Sequence, residues 1–396
     1  MRVLLLVSSH FVYSGRVGGA EHMAYNLVRG LHEAHAAPTV LCSRHANLSP
    51  QFIRDCHSRN VPLLETGGNR GPRFLSEQRA CFDPALSGAA IIFPNYFLPP
   101  IVPKRLGKTA VVIHDFQYLH YPQYFSWKKR AWLWLSHRRA MQSADHLIFI
   151  SEFVRRDAIR LFGSIAARGV AISNPISWDR FGERSLRVVG DDKPYILSVA
   201  AHYPHKQLDI LLRAFAIFAQ HNKDVRLVLV GQLANKLVSV SGAGGVLENL
   251  IMDLGIADRV TVTGYVDDHR LGDLYRQATA FVFPSAFEGF GMPAVEALGF
   301  GVPCLTTQCT ALPETTLGFA DYVDEPSNVE EWAARLSTLV EKPRLPPEKV
   351  RWLRHRYDPA TIGRQYLMEL GSDHAHAACD LVGGEDDRAA RIVGQG

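Results

Sequence analysis

The sequence predicts an α/β protein built from two Rossmann-like domains, each with a doubly wound parallel sheet. Apolar runs of strand length alternate with helical patterns along the chain, and this alternation restarts after a polar stretch at residues 178–193, which we predict to be the linker between the domains. A chain of 396 residues is also long for a single core and suits two. We therefore predict a first domain at residues 1–186 and a second at residues 192–356.

The first domain begins with a strand at residues 3–7 that is apolar throughout, as in a parallel sheet covered on both faces. A loop at residues 10–19 and a helix at about residues 20–33 follow, because apolar side chains then recur on one helical side. Further strands are predicted at residues 39–42, 89–93, 110–113, 146–150 and 170–172.

The second domain repeats this alternation. Its strands are predicted at residues 195–200, 225–230, 260–266, 279–283 and 301–307, with a helix at residues 207–221. A last helix begins near Tyr357 and is capped at Asp358. Residues 372–396 are polar and rich in glycine, which predicts a flexible tail.

Composition limits the classes of partner. Hydrophobic residues make up 47% and charged residues 21%, as in a soluble globular protein. A net charge of +4 suits an anionic small molecule or an anionic membrane surface and is too small to favour nucleic acid. The six cysteines lack the spacing of a zinc site, and no apolar run is long enough to span a membrane. We therefore expect a cytoplasmic protein.

The segment at residues 283–297 has the strongest signal for a binding site. Gly289 and Gly291 form a loop after a buried strand, and Pro293 stands where the first turn of a helix accepts proline. Glu288 and Glu296 bracket that turn, and the free N–H groups of a helix start attract anions. Residue types alone also allow an ordinary strand–turn–helix with two solvated acids.

Three other segments are candidates for function. Gly18-Gly19 precede a helix start, where backbone can approach a ligand or simply make a tight turn. A predicted strand carries His114 and Asp115 to its carboxyl end, where open α/β sheets bind ligands, although such a pair can also be structural. The aromatic residues at 116–125, with Tyr118 and Tyr121, suggest a wall for a sugar acceptor.

The helix predicted at residues 127–140 mixes three tryptophans with lysines and arginines. A helix that lies on an anionic membrane surface has this composition. The alternative is a helix with its tryptophans in the core and its cations in solvent. If the acceptor is linked to a lipid, this helix is the part expected near the inner face of the cell membrane.

The pattern F-P-S-x-x-E-G-F-G-x-P-x-x-E-A around Glu288 and Glu296 resembles the E-x7-E signature of retaining glycosyltransferases of the GT-B fold, in particular the large GT4 family. The resemblance extends to about residue 370. It implies two domains that face a central cleft, an acceptor in the first domain and a nucleotide-sugar in the second. It also implies that the helix at residues 357–371 returns to the first domain.

The resemblance assigns a role to each matching position. Glu288, with the backbone amides of Gly289, Phe290 and Gly291, would clamp the donor sugar, which His114 would also contact. Glu296 would contact the ribose and Lys206 the diphosphate. The Gly18-Gly19 loop would lie near the donor phosphates and the acceptor, and Gly264-Tyr265-Val266 would lie against the base. The family's second phosphate-binding cation is an arginine, and this chain has Ala201 there, so His202 or His205 is a candidate replacement. Glu314 and Thr310 match a family segment near the ribose and diphosphate.

These assignments give three groups of residues. The catalytic candidates are His114, Lys206 and Glu288; the donor-binding candidates are Gly18, Gly19, His205, Lys206, Gly264, Tyr265, Val266, Glu288, Gly289, Phe290, Gly291, Glu296 and Thr310; the acceptor candidates are Asp115, Tyr118 and Tyr121. No D-x-D motif stands where a metal-dependent enzyme would bind its metal, so we expect no metal and no cofactor.

The expected activity is the retaining transfer of a hexosyl or deoxyhexosyl group from a nucleotide-sugar to a glycan or a polyprenyl-linked glycan. Mannosyl transfer from GDP-mannose is the first expectation, because Tyr-Pro-His-Lys at residues 203–206 resembles a subset of mannosyl- and rhamnosyltransferases. The alternatives are a nucleotide-sugar-binding scaffold that has lost catalysis, which Ala201 favours, and another GT-B enzyme such as a phosphorylase or an epimerase.

Overall fold

The structure is a computed structural model that describes residues 2–7, 18–43, 48–66, 81–82, 86–99, 101–103, 106–183, 193–231 and 246–371. Residues 10–17 of the predicted loop at residues 10–19 lie outside the described residues. The predicted tail at residues 372–396 also lies outside them.

The first domain contains a seven-stranded parallel sheet in the order β3-β2-β1-β4-β5-β6-β7. Its elements are β1 (Arg2–Val7), α1 (Gly19–Glu33), β2 (Ala37–Ser43), α2 (Pro50–Ser58), β3 (Leu63–Thr66), β4 (Ala90–Phe93), β5 (Thr109–Ile113), α3 (Gln117–His120), α4 (Trp127–Ser143), β6 (His146–Phe149), α5 (Glu152–Phe162), α6 (Ser164–Ala167) and β7 (Val170–Ala171). All five residues of β5 are buried, as its apolar sequence predicts.

The second domain contains a six-stranded parallel sheet in the order β10-β9-β8-β11-β12-β13. Its elements are β8 (Tyr195–Val199), α7 (Leu208–His221), β9 (Arg226–Val230), α8 (Val246–Asp253), β10 (Val260–Gly264), α9 (Asp268–Gln277), β11 (Ala280–Phe283), α10 (Met292–Gly299), β12 (Cys304–Thr307), α11 (Leu312–Thr315), β13 (Asp321–Val323) and α12 (Val329–Leu339). The two parallel sheets confirm the predicted fold class of two Rossmann-like α/β domains.

Two further helices, α13 (Pro347–Arg356) and α14 (Pro359–Glu369), follow the second sheet. α14 packs on α1 of the first domain at a crossing of two glycines. A Cβ on Gly30 would lie 2.1 Å from the Pro359 carbonyl oxygen, and one on Gly363 would lie 2.2 Å from the Gly30 carbonyl oxygen. Only glycine permits this close approach, so the crossing fixes the chain end on the first domain.

The stretch predicted as a polar linker begins with an ordered and packed turn, which is a correction. Residues Trp178–Phe181 form a 3₁₀ turn, and Phe181 is fully buried. Its ring packs edge-on against Phe300 at 5.1 Å and Tyr275 at 6.0 Å, both in the second domain. The polar composition of residues 178–193 did not predict this turn, because a single buried aromatic side chain, Phe181, holds it in place.

The strand orders also predict where a ligand binds. In open α/β sheets, ligands bind at the carboxyl ends of strands where the strand order reverses. In the second sheet this switch point lies between β8 and β11. The chain segments that follow these two strands contain Lys206 and Glu288.

Candidate active site

The loop between β11 and α10 carries the E-x7-E sequence. β11 ends at Phe283, and α10 begins after Gly291, whose φ of +80° lies in the left-handed region that favours glycine. Pro293 lies in the first turn of α10. Backbone N–H groups in that turn have no acceptor within the helix, so proline, which lacks an N–H, loses no hydrogen bond there. The strand–loop–helix order predicted from the sequence is therefore present at the switch point of the second sheet.

Glu288 and Lys206, both catalytic candidates, form an ion pair at this point. The Lys206 ammonium donates to a Glu288 carboxylate oxygen, and the two side chains are 12% (Glu288) and 17% (Lys206) exposed. The Glu288 N–H donates to Thr310 Oγ1 at 2.9 Å. The Lys206 ammonium also lies 5.2 Å from the centre of the Phe283 ring. One cation and one carboxylate thus stand side by side, and Thr310 holds the loop that carries the carboxylate.

His114 follows β5 and meets this loop from the first domain. Its Nε2 lies 2.8 Å from the Pro94 carbonyl oxygen, which can only accept, so Nε2 carries the ring proton. Burial lowers the pKa of His114, although the Pro94 bond and Asp115 oppose it, so the ring is neutral near pH 7. A Cβ on Gly289 would lie 2.1 Å from the His114 carbonyl oxygen. Two predicted site segments from different domains are therefore in backbone contact.

Further contacts hold the two domains together beside His114. Ser151 Oγ donates to the Gly289 carbonyl at 2.7 Å. The Glu314 carboxylate accepts from the backbone N–H groups of Glu152 and Phe153 at 2.7 and 2.9 Å, and so caps α5 from the other domain. The family resemblance suggested a place for Glu314 near the ribose and diphosphate, whereas the structure engages both its oxygens in this cap.

His205 precedes Lys206 and faces the first domain. The Gln117 side-chain amide donates to His205 Nδ1 at 2.7 Å. Burial, assisted by the charge of Lys206, lowers the pKa of His205 to about 3. The ring is therefore neutral at physiological pH and carries no charge that could replace the arginine missing at Ala201, which corrects that expectation.

Two of the three acceptor candidates lie near this contact. The Tyr121 ring packs edge-on against Phe287 at 5.7 Å and lies 6.4 Å from the His205 ring. Asp115 Oδ1 accepts from the Gln117 N–H at 2.9 Å and so fixes the start of α3. Asp115 and Tyr121, two residues of the predicted acceptor wall, therefore lie beside the contact between the two domains.

Tyr118 is a correction to that wall. Its side chain is 3% exposed and its ring stacks on His137 at 5.3 Å inside the first domain. It therefore presents no face to an acceptor. A cluster of aromatic residues in a sequence does not show which rings face the interior of the domain. The Tyr118 ring faces the interior.

The turn at Gly18-Gly19 contains one half of a capping box, because Gly18 has no side chain to accept a bond from the helix. The Gly18 N–H donates to the Glu21 carboxylate at 2.9 Å at the start of α1. Burial raises the pKa of Glu21, although its backbone bonds lower it. A Cβ on Gly19 would meet nothing within 4 Å. The Gly18 amide, predicted to lie near the donor phosphates, is therefore occupied by a carboxylate in this structure.

Glu296, the acid that the resemblance assigns to the ribose, lies in a buried polar network. Its side chain is 4% exposed; the Arg180 guanidinium donates to Oε1 and the Tyr275 hydroxyl donates to Oε2 at 2.9 Å. Burial raises the pKa of Glu296, and Arg180 and Tyr275 oppose this rise. Sequence reasoning missed Arg180 and Tyr275, because no local pattern pairs residues so far apart in the chain.

The segment predicted to contact the base lies on a groove of about 680 Å³ between the domains. Gly264 ends β10 with a φ of +67°, and its carbonyl accepts the Gly231 N–H at 2.9 Å. Tyr265, which is 46% exposed, lines the groove together with Asp268 and His22. A planar ligand group therefore has access to Tyr265 from between the two domains.

Two remaining donor candidates are held by packing. The Phe290 side chain is 3% exposed and packs edge-on against Tyr357 at 5.4 Å, so only its backbone is available for the predicted sugar clamp. Val266 is partly buried against the core. The sequence did not suggest the pair of His120 and Asp157, whose Nε2 and Oδ2 atoms lie 2.7 Å apart; the His120 ring lies 5.0 Å from the Phe287 ring.

The described residues contain no group of three or more histidine, cysteine, aspartate or glutamate side chains that could hold a metal ion. A separate search of the described residues for membrane spans finds no helix long and apolar enough to cross a bilayer.

Both domains of the chain match known protein families. The family model for glycosyl transferases group 1 matches residues 183–355, and the model for glycosyltransferase family 4 matches residues 17–180. Among solved structures, a sucrose-phosphate synthase from Thermosynechococcus elongatus covers 99% of this chain and is itself covered fully, with a TM-score of 0.64 at 19% identity. WaaG, a glycosyltransferase involved in lipopolysaccharide biosynthesis, covers 93% of this chain and is also covered fully, with a TM-score of 0.67 at 14% identity.

Two curated relatives are mannosyltransferases by name. The chain is similar to O-antigen chain mannosyltransferase B of Escherichia coli, with 29% identity over 61% of this chain and 63% of the relative. It is also similar to O-antigen chain mannosyltransferase RfbU of Salmonella typhimurium, with 22% identity over 60% of this chain and 62% of the relative. The chain thus spans about three fifths of the length of each.

The two Rossmann-like domains have the GT-B fold. The two family models match adjoining halves of the chain and confirm the resemblance seen in the E-x7-E segment. The chain belongs to the GT4-like glycosyltransferases of the GT-B fold.

Proposed function

We propose that the protein transfers a mannosyl group from GDP-mannose to a hydroxyl of a glycan or lipid-linked glycan, with retention of the anomeric configuration. The observation that carries the proposal is the Lys206–Glu288 ion pair, because the loop that carries Glu288 touches the His114 backbone across the domain contact. The names of the mannosyltransferase relatives support the choice of sugar.

Each group of this pair suits one part of the donor. The Lys206 ammonium stabilises the negative charge that grows on the leaving diphosphate. The Glu288 carboxylate, once Lys206 turns to phosphate, accepts hydrogen bonds from sugar hydroxyls and fixes the sugar for attack. His114, with its proton held on Nε2 by Pro94, keeps Nδ1 as an acceptor for a further hydroxyl.

The proposed transfer needs no covalent enzyme intermediate. The bond between the anomeric carbon and the diphosphate oxygen breaks, and its electron pair leaves with GDP. The acceptor oxygen forms its new bond from the same face of the sugar, and its proton passes to the departing phosphate oxygen. Glu288 is then a positioning group, so Glu288→Gln should lower turnover sharply. Unchanged turnover would contradict this role.

The groove between the domains supports guanine as the base. The Asp268 carboxylate lines it beside Tyr265, and its side chain is 32% exposed. Guanine presents two adjacent donors, N1–H and the 2-amino group, which a carboxylate can accept together. Uracil offers a single ring N–H between two carbonyls and cannot make this paired contact. Asp268→Asn should therefore weaken GDP more than UDP.

A thermal-shift panel of GDP-mannose and UDP-, dTDP- and ADP-sugars tests the donor, and NMR of the product tests retention. We expect GDP-mannose to give the largest shift and an α-linked product. Absence of any shift would refute the transferase proposal. Tight binding with neither transfer nor slow donor hydrolysis would favour the scaffold alternative that Ala201 suggests. Phosphate-dependent cleavage of a disaccharide would instead indicate a phosphorylase.

We also propose that α4 contacts an anionic membrane at the cytoplasmic face. Its tryptophans are not core residues, since Trp127 is 73% exposed, Trp132 44% and Trp134 40%, and Leu135 is 60% exposed. The helix sequence WKKRAWLWLSHRRAMQS contains no acidic residue. Exposed indole rings among lysines and arginines suit the headgroup region of a bilayer.

Co-sedimentation with vesicles tests this contact without donor or acceptor. Vesicles that contain phosphatidylglycerol should sediment the protein, and neutral phosphatidylcholine vesicles should not. The double change Trp127→Ala and Leu135→Ala should release it, whereas Met252→Ala, at a 68% exposed methionine of the second domain, should not. Equal binding by both variants would refute the role of α4.

A further inference from the structure

Arg180 is a buried cation that touches both domains. It lies in the turn Trp178–Phe181 that leads out of the first domain, and its side chain is 11% exposed. One terminal nitrogen donates to His22 Nδ1 at 2.5 Å on α1, and the other donates to the Glu296 carboxylate on α10. Neither contact is local in sequence. Arg180 therefore joins the first turn of α1 to the second acid of the E-x7-E segment.

The surroundings explain why Glu296 depends on Arg180. A buried carboxylate is stable only when it is paired and hydrogen-bonded. The Tyr275 hydroxyl supplies one bond at 2.9 Å. Asp268 is a further charged group that acts on Glu296, but it is negative and lies 4.0 Å from the guanidinium. His22 accepts from Arg180, and its pKa is well below its ordinary value because of burial and of that guanidinium. Arg180 is thus the cation that compensates Glu296 among the described residues that face it.

We propose that Arg180 is a positioning residue of the donor site, which holds Glu296 as a carboxylate at a fixed distance from the Gly18-Gly19 turn, ready to accept the ribose hydroxyls. This inference rests on the proposed function, because the ribose belongs to the proposed donor. A carboxylate offers about four lone-pair positions. Arg180 and Tyr275 occupy two, so two remain for the paired hydroxyls of a ribose.

Calorimetric titration of GDP between pH 6.5 and pH 9 tests the inference. Without the guanidinium, the Glu296 carboxyl keeps its proton to higher pH. Arg180→Met should therefore weaken GDP binding at pH 7 by about tenfold or more. Because the carboxyl loses that proton as the pH rises, the defect should shrink towards pH 9. Arg180→Lys, which keeps the charge, should restore part of the affinity.

The double variant Arg180→Met with Glu296→Gln is the matched control, because glutamine cannot titrate. Its GDP affinity should show no such pH slope. The proposal would be overturned if Arg180→Met bound GDP with the affinity of the unmodified protein. It would also be overturned if the GDP affinity of Arg180→Met were reduced by the same factor at every pH. If Arg180→Met does not fold, Glu296→Gln alone must weaken GDP but not pyrophosphate, and equal loss of both would overturn it.

A measurement without ligand separates this inference from the proposed function. If Arg180→Met leaves Glu296 protonated when folded, unfolding releases that proton, so stability must fall as the pH rises from 5 to 8. The thermal midpoint of Arg180→Met should therefore fall relative to that of the double variant over this range. Parallel midpoints would overturn the Arg180–Glu296 link. If the midpoint of Arg180→Met falls with pH as expected but the unmodified protein does not bind GDP, the Arg180–Glu296 link stands and the proposed function is refuted.

Discussion

A single added methyl group at Gly289 should disable the site by parting the two domains. A Cβ there would lie 2.1 Å from the His114 carbonyl oxygen and 3.3 Å from Ile150 Cδ1, whereas ordinary contacts begin near 3.4 Å. The closest atom belongs to backbone, which cannot rotate away. Gly289→Ala must therefore move the E-x7-E loop away from the end of β5 by more than 1 Å.

The size of the effect follows from that displacement. A misplacement of about 1 Å can lower an enzymatic rate by roughly 100-fold, and overpacking costs about 1–3 kcal/mol. We therefore expect Gly289→Ala to lower kcat for the proposed mannosyl transfer by about two orders of magnitude while GDP still binds, because Lys206 and the groove at Tyr265 are unchanged.

Steady-state transfer from labelled GDP-mannose, together with GDP calorimetry, measures both quantities. Ser151→Ala is the control, since it removes the 2.7 Å hydrogen bond to the Gly289 carbonyl but adds no atoms. It should reduce kcat much less. Transfer by Gly289→Ala within twofold of the unmodified protein would refute the reasoning, because the close approach to His114 would then be irrelevant to the working enzyme.

Three further predictions concern charge and burial. Lys206→Met should weaken GDP binding at least tenfold by calorimetry, because a charge-assisted bond is worth about 1.5–3 kcal/mol, and Lys206→Arg should weaken it less. Glu314→Ala should lower the free energy of unfolding in urea by about 1–2 kcal/mol, because it uncaps α5, and an unchanged value would contradict the cap. Burial lowers the pKa of His137 to about 4, below that of the unfolded chain, so stability should fall as the pH drops below about 6.5; His137→Gln should reduce this slope in urea unfolding at pH 7 and 5.5.

The sequence predicted the two sheets and the E-x7-E loop well, because both depend on local patterns. Continuous apolar runs mark buried parallel strands, and Gly291 and Pro293 mark a helix start by their backbone preferences. The short edge strands β3 and β13 were missed, because three or four residues with polar members carry too little periodicity.

Long-range contacts were beyond such reasoning. Arg180 and Glu296 pair across more than a hundred residues, from a stretch whose polarity suggested a linker. Glu314 caps a helix of the other domain, and no local pattern reveals that partner. The burial of Tyr118 depends on which face of a four-residue helix meets the core. In each case the three-dimensional packing of distant segments decided the outcome.

The central claim is that the E-x7-E loop binds the donor with Glu288 at its sugar. Calorimetric titration of the unmodified protein and of Glu288→Gln with GDP and with GDP-mannose tests it most directly, since the difference between the two ligands isolates the sugar. The account predicts that GDP-mannose binds more tightly than GDP to the unmodified protein, and that Glu288→Gln loses this difference but retains GDP affinity. A difference that survives in Glu288→Gln would contradict the account.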